Sequence, residues 1–309
     1  MNLLTELKEG LSISWSAIRA NKMRSILTTL GIVIGIVTVT LMGTAITGLN
    51  RAFLKNISFI GADVFYVDKF DWFIDSHEEW MRMQKRRQIT LAQAEILKDQ
   101  LTMVRAVAPM AETRNSVRYQ KRGSDSVSII GTTDQYLQTS SVGVAQGRFL
   151  SPNEAAGGRP VCVIGCEVAT NLFKRDLALG KRITIGGSSF EVIGVLEKQG
   201  SFLGLFSLDN QVIIPLSQFT TALWNNPDIQ IQVKASQLEE LEEAREELRV
   251  AMRRVRRLAP NDPDDFAINQ QDQFVRMFHK VGGTIAGIGV FITGLSLFVG
   301  GIGIMNIMF

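Results

Sequence analysis

Ser25-Ile26-Leu27-Thr28-Thr29-Leu30-Gly31-Ile32-Val33-Ile34-Gly35-Ile36-Val37 opens a stretch that carries no charged residue until Arg51. A second charge-free run goes from Val281 to Phe309. Each exceeds the ~20 apolar residues that cross a bilayer, and about two dozen residues of helix span ~36 Å against ~30 Å of hydrocarbon. A cleaved signal peptide does not fit: its apolar region is ~7–15 residues long, and the charged lead here is too long. Between the runs, residues 51–280 are polar and of mixed charge, long enough to bury a core of their own. The whole chain has 309 residues, net charge +3 and 20% charged residues, with a mean hydropathy of +0.12. Such an average of two compositions argues against a fully soluble enzyme. A charge so close to balance gives no reason to expect nucleic acid as a partner.

The flanks set an expected orientation. Arg19, Lys22 and Arg24 precede the first run, with Lys8 further back, while Arg51 and Lys55 follow it. The basic excess puts the N-terminus in the cytoplasm and the middle region outside. The lead itself is amphipathic. Leu3, Leu4, Leu7, Leu11, Trp15 and Ile18 fall within an arc of roughly 120° on a helix, which predicts an interfacial helix lying on the cytoplasmic leaflet. The expected layout is therefore an interfacial helix over 1–24, a span over 25–50, an extracytoplasmic α+β domain over 51–280, and a second span over 281–309.

Both spans are rich in small residues. Gly31 and Gly35 form a GxxxG pair with Gly43 further on, and Gly283 and Gly287 form another. This spacing lets helices pack closely in lipid, so all five are read as packing positions. A chain end at Phe309 inside an apolar run would bury a carboxylate at membrane depth, so a longer protein is expected.

Within the middle region, 63–67, 104–107, 116–119, 126–130, 160–164 and 211–214 read as strands, and 182–185 with 190–196 as a hairpin. Thr90 to Gln93 is a capping box for a helix to about Leu101, and 167–173 is a short helix. Ile229-Gln230-Ile231-Gln232-Val233 alternates, which predicts a half-buried strand. Ser236 and Glu239 read as a second box, for a helix to Leu258 that buries Leu238, Leu241, Leu248, Met252 and Val255. That helix is acidic first and basic last, matching its dipole, and Arg253, Arg254, Arg256 and Arg257 read as a solvated face. Residues 69–88 read as an extended loop.

No catalytic constellation is found. Cys162 and Cys166 read as small buried hydrophobes, too far apart to bridge if Cys162 is in a strand. His77 and His279 lie in no metal-ligand spacing. Asp262, Asp264 and Asp265 read as a polar turn. Gly180-Lys181-Arg182 is not a phosphate-binding loop, which needs Ser or Thr after the Lys.

The segment from Asn21 to Ile36 resembles the first span of MacB/FtsX-type ABC transporter permeases. Gly147-Arg148-Phe149, Val163-Ile164-Gly165, Leu172-Phe173, Leu179-Gly180-Lys181, 190–196 and Ile214-Pro215-Leu216 follow in the order of the MacB periplasmic core domain, and 300–308 resembles the second span. Lys174 and Ala178 depart from the glycine and proline usual there. The resemblance implies a multi-pass permease of the bacterial inner membrane. Its outer domain would hold a porter part (about 51–128 and 217–280) and an inserted sabre part (about 129–216). It also implies a second permease copy or paralogue, a separate cytoplasmic ABC ATPase that holds the ATP and Mg, and a periplasmic adaptor. This chain would hold no cofactor and act by mechanotransmission, for export from the periplasm or outer leaflet. A two-span sensor with an extracytoplasmic ligand-binding domain shares the layout, but it predicts a charged coiled coil after the second span, and the Gly-rich second span does not suit it.

Overall fold

The computed structural model describes residues 8–10, 13, 15–16, 19–20, 22–57, 60–74, 76–174, 176–202 and 206–308. Leu3, Leu4, Leu7, Leu11 and Ile18 of the expected interfacial face lie outside the described residues, as does the side chain of Arg24. The chain divides into two compact units, Met1–Phe53 with Val275–Phe309, and Leu54–Phe274.

The first unit contains most of α1 (Lys22–Ile57) and α9 (Gln271–Met308). Both are long and apolar enough to cross a membrane, and little of either is buried. Threonine and serine hydroxyls along them (Thr40, Thr44, Thr47, Thr284, Ser296) donate to the carbonyl four residues back at 2.8–3.0 Å. These five hydroxyl donors are thereby satisfied without water.

The second unit is α+β. In chain order it contains β1 (Val64–Asp68), α2 (His77–Gln84), α3 (Leu91–Gln100), β2 (Val104–Tyr119), β3 (Arg122–Thr132), α4 (Tyr136–Thr139), β4 (Val144–Gly147), α5 (Pro152–Gly157), β5 (Val161–Ile164) and α6 (Cys166–Phe173). Then come β6 (Arg182–Ile185), β7 (Ser188–Leu196), β8 (Ser201–Phe202), β9 (Phe206–Ser207), β10 (Gln211–Pro215), α7 (Leu216–Ala222), β11 (Gln230–Ala235), α8 (Leu241–Val255) and β12 (Ala267–Gln270). A ten-stranded sheet runs β12-β1-β11-β2-β3-β10-β5-β7-β4, with β6 joined to β2 and β7. The period of two in each strand fills two cores. Phe65 and Val67 of β1, with Ile231 and Val233 of β11, meet Ala94 and Leu97 of α3 and Leu248 and Met252 of α8. On the other face Ala108, Met110, Ile130, Val163 and Ile213 meet Tyr136, Phe149 and Leu150.

The stretches read as two strands, 104–107 and 116–119, are one strand of 16 residues. β2 changes partner along its length: from Val104 to Met110 it pairs with β11, and from Ala111 to Tyr119 with β3. Pro109, which cannot donate to a ladder, sits beside this change, and its carbonyl accepts from the Thr132 hydroxyl at 2.9 Å.

Four expectations need correction. Residues 69–88 are not wholly extended. Ser76 caps α2 by accepting from the Glu79 N–H at 3.2 Å, and Ser76-His77-Glu78-Glu79 carries the residue types of a capping box. The helix expected from Ser236 starts at Leu241, because the Ser236 N–H donates to the Met103 carbonyl at 3.0 Å and stays with the sheet. Leu238 is accordingly exposed. The arginine run is not one solvated face either: Arg256 is buried and pairs with Asp265, while Asp264 pairs with Arg249 and Arg253. The polar turn at 262–265 thus neutralises the end of α8. Cys162 is buried, whereas Cys166 is only half-buried, and both are free thiols.

The Gly147-Arg148-Phe149 motif has a local cause. Gly147 has φ +77°, and a Cβ there would strike the Ile193 carbonyl, so only glycine lets β4 approach β7 this closely. Arg148 then forks onto Glu154 at 2.6 and 2.7 Å, and Glu154 also accepts from the Ser151 N–H and hydroxyl at the start of α5.

Candidate functional site

In the first unit, partial or full burial recurs on α1 at Gly31, Gly35, Thr38, Met42, Ile46 and Phe53. On α9 it recurs at Phe278, Gly282, Ala286, Gly289, Thr293 and Ser296. Spacings of three and four are those of a coiled-coil seam. The helices are antiparallel along it: Gly31 lies 3.9 Å from the Ser296 carbonyl, measured from an added Cβ, and a Cβ at Gly289 would fall onto the Met42 thioether. Phe53 stacks on Phe278 with ring centroids 4.4 Å apart.

Gly31 and Gly35 therefore lie on the seam. Gly43, Gly283 and Gly287 do not: each sits one position off it, exposed, with nothing within 4 Å of an added Cβ. The GxxxG pair on α9 thus lies one position off the face that meets α1. Gly289-x-x-x-Thr293, a small-x-x-x-small pair in the heptad frame of Gly282 and Ala286, was the signal that marks the contact. Trp15, Arg19 and Lys22 line one groove of about 480 Å³ with Ile26, Leu30 and Val33.

The second unit holds a cleft of about 500 Å³ on the face of the sheet opposite α3 and α8. Its floor is buried: Tyr66, Met110, Ile130, Tyr136, Val142 and Gln232. The Tyr66 hydroxyl donates to the Ile60 carbonyl at 2.5 Å, and the Thr139 hydroxyl donates to Gln232 Oε1 at 2.8 Å. Burial, reinforced by the neighbouring Glu112 charge, pushes the Tyr136 phenol far above its ordinary range. This floor is thus uncharged at any ordinary pH. The walls are polar, with Glu112 and Arg114 from β2 and Ser126 and Ser128 from β3. None of these residues stands out in the sequence, because strand polar residues acquire meaning only when β2, β3 and β10 are seen side by side.

Two helices long and apolar enough to cross a membrane, at either end of a mixed α/β domain in the sequence, are what the chain presents for comparison. The chain belongs to the MacB-like periplasmic core domain family, which matches residues 25–251, and with it to the MacB/FtsX-type permeases. It is 28% identical over 306 residues to the pyoverdine export ATP-binding/permease protein PvdT of Pseudomonas syringae pv. tomato, covering 98% of this chain and 44% of that protein. It is 28% identical over 309 residues to the macrolide export ATP-binding/permease protein MacB of Bdellovibrio bacteriovorus, covering 98% and 46%. The ABC transporter permease YknZ of Bacillus subtilis is 28% identical over 313 residues, 98% of this chain and 74% of YknZ. The chain thus spans about half the length of the first two. The crystal structure of the periplasmic region of MacB from Actinobacillus actinomycetemcomitans has the same fold, with a TM-score of 0.60 at 19% identity over 74% of this chain and 98% of that one.

Proposed function

We propose that this chain is part of the transmembrane permease of an ABC exporter, worked by a cytoplasmic ABC ATPase on a separate polypeptide. The observation that carries this reading is the seam between α1 and α9. Two spans that pack along small residues can shift as a pair and carry motion to the outer domain that they enclose in sequence. The single strand β2, shared between the β11 and β3 sides of one sheet, gives that domain a stiff element through which to pass it on. On this reading porter and sabre parts divide as the family resemblance implies, and the substrate is taken from the periplasm or the outer leaflet. Gly43, Gly283 and Gly287 are left to meet further spans, or a second permease copy or paralogue. A periplasmic adaptor is a further expected partner. No cofactor is assigned to this chain, and ATP with Mg belongs to the partner ATPase.

Two measurements test this. Purified alone, the chain should show no specific equilibrium binding of ATP, and co-purification with the ATPase should bring turnover. Tight ATP binding by the isolated chain would count against the permease reading. The basic lead also supports a topology with Arg24 inside and Gly123 outside. Thiol labelling of cysteine variants at both positions in intact cells should modify residue 123 and spare residue 24, and the opposite pattern inverts the topology.

A further inference from the structure

The groove beside the start of α1 has a chemistry that the fold does not use. Trp15 and Arg19, one helical turn apart in the lead, line it together with Lys22, Ile26, Leu30 and Val33 of α1, around a volume of about 480 Å³. The four residues of α1 recur at helical spacing, so they form one stripe along it. At 100° per residue that stripe lies opposite the seam positions Gly31, Gly35 and Thr38. Ile26, Leu30 and Val33 are accordingly exposed, and α9 does not cover them. The mouth of the groove is basic and the rest is apolar. Among the described residues no carboxylate lines it, and Arg19 and Lys22 have no ion-pair partner there. Ser25 and Thr29 add hydroxyls to the same wall. The charge-free run starts at Ser25, about one turn past Lys22, so the cations stand where the headgroups of a leaflet would meet its hydrocarbon. Trp15, exposed beside them, is the residue type that settles at this level. From Lys22 to Val33 the groove follows α1 for about 16 Å, close to the ~15 Å of hydrocarbon in one leaflet.

We propose that this groove binds one anionic phospholipid from the leaflet on the N-terminal side of α1. Its phosphate pairs with Arg19 and Lys22, and one acyl chain lies along Ile26, Leu30 and Val33, with Trp15 at the headgroup end. Charge complementarity selects the headgroup. Two cations with no carboxylate between them attract a net negative charge and repel the ammonium of a phosphocholine. The apolar stripe selects a lipid over a free anion, since a soluble phosphate would leave Ile26, Leu30 and Val33 uncovered. The groove also ends at Val33, one leaflet deep, whereas a packed helix would need a face along the whole span. Such binding needs α1 in a bilayer but no ATPase and no substrate. It therefore goes beyond export, and its failure leaves the permease reading standing.

The test reconstitutes the full chain in nanodiscs of equal phosphatidylcholine and phosphatidylglycerol, then counts the retained lipids by native mass spectrometry. One phosphatidylglycerol per chain should be kept in preference to phosphatidylcholine. A basic residue near an anionic lipid is worth about fivefold in affinity, so Arg19→Gln combined with Lys22→Gln should lower that preference about 25-fold. Leu30→Trp fills the groove without changing charge and should displace the lipid, while Arg51→Gln, at the far end of α1, should leave it bound. All four side chains are exposed, and circular dichroism of the variants should match that of the unaltered chain. Glycerol 3-phosphate should not compete, and Leu30→Cys should give no crosslink through residue 30 between copies of the chain under copper oxidation. Equal retention of both lipids, a preference that survives the double substitution, or one that Arg51→Gln lowers as much would overturn the site. Retention unchanged in Leu30→Trp would do the same by leaving only diffuse surface charge. Displacement by glycerol 3-phosphate would make the groove a site for a free anion, and a crosslink through residue 30 would give it to a helix of a second copy.

Discussion

Replacing Arg256 with alanine should cost the α+β domain about 3–5 kcal/mol, the toll of stranding one partner of a buried ion pair. Against a total stability of roughly 5–15 kcal/mol, that approaches unfolding. The Arg256 side chain is fully buried and ties three segments together. It bonds Asp265 in the turn before β12, the Arg87 and Gln88 carbonyls at 2.9 and 3.3 Å, and Gln93 Oε1 at 3.3 Å in α3. Arg87 closes the loop, donating to the Arg256 carbonyl at 2.9 Å and to Asp265 at 3.0 Å. Lysine cannot replace this fork, since one ammonium cannot reach acceptors spread over several fixed directions, so Arg256→Lys should recover little. The pH dependence has a definite sign. Burial alone would raise the Asp265 carboxyl, but bonding to Arg256 and Arg87 outweighs it and holds the group below its ordinary 3.8. A carboxyl lowered in the folded state contributes stability that is fully present above its unfolded pKa and is lost as pH falls through the folded value. Acid melts of the unaltered chain should therefore lose stability below about pH 4, with less loss in the alanine variant. Urea melts followed by near-ultraviolet circular dichroism read both effects, and a change under about 1 kcal/mol would mean that the network is replaceable.

How far the sequence carries the fold follows from what each signal depends on. The two apolar runs, the capping box at Thr90, the alternation at 229–233 and the hairpin turn are local, and each stands in the structure as a helix or strand near where it was expected. Boundaries set by distant partners were not readable. Ser236 carries a good cap signature but is held to the Met103 carbonyl, just before β2. β2 is one strand because β11 and β3 take it over in turn. Arg256 has the same residue type as Arg254 and Arg257, and it differs only because the helix face it occupies meets Asp265. The cleft was invisible for the same reason: Tyr66, Glu112, Tyr136 and Asn210 come from four separate segments.

Replacing Gly31 and Gly35 together with leucine should break the α1–α9 pairing while the α+β domain stays folded. The reason is steric. Gly35 is buried on the seam, and an added Cβ at Gly31 already reaches van der Waals distance of the Ser296 carbonyl, so the rest of a leucine must push against backbone. Overpacking of this kind costs roughly 1–3 kcal/mol per site, and in lipid no hydrophobic gain offsets it, because the acyl chains are as apolar as leucine. Gly289→Ala should be milder, since only the flexible Met42 thioether stands in the way. Gly43→Leu supplies the contrast: it lies one position off the seam with open space around it, so the α1–α9 contact should survive. The α+β domain has its own cores, and its melting should not move in any of these variants. Blue-native electrophoresis and turnover with the partner ATPase read the outcome. Coupled turnover should fall at least about tenfold in the Gly31/Gly35 double variant, which corresponds to ~1.4 kcal/mol at the coupling step. Normal turnover and an unchanged assembly in that variant would reduce α1 to an anchor, and motion would then have to reach the outer domain by a route that does not involve this seam.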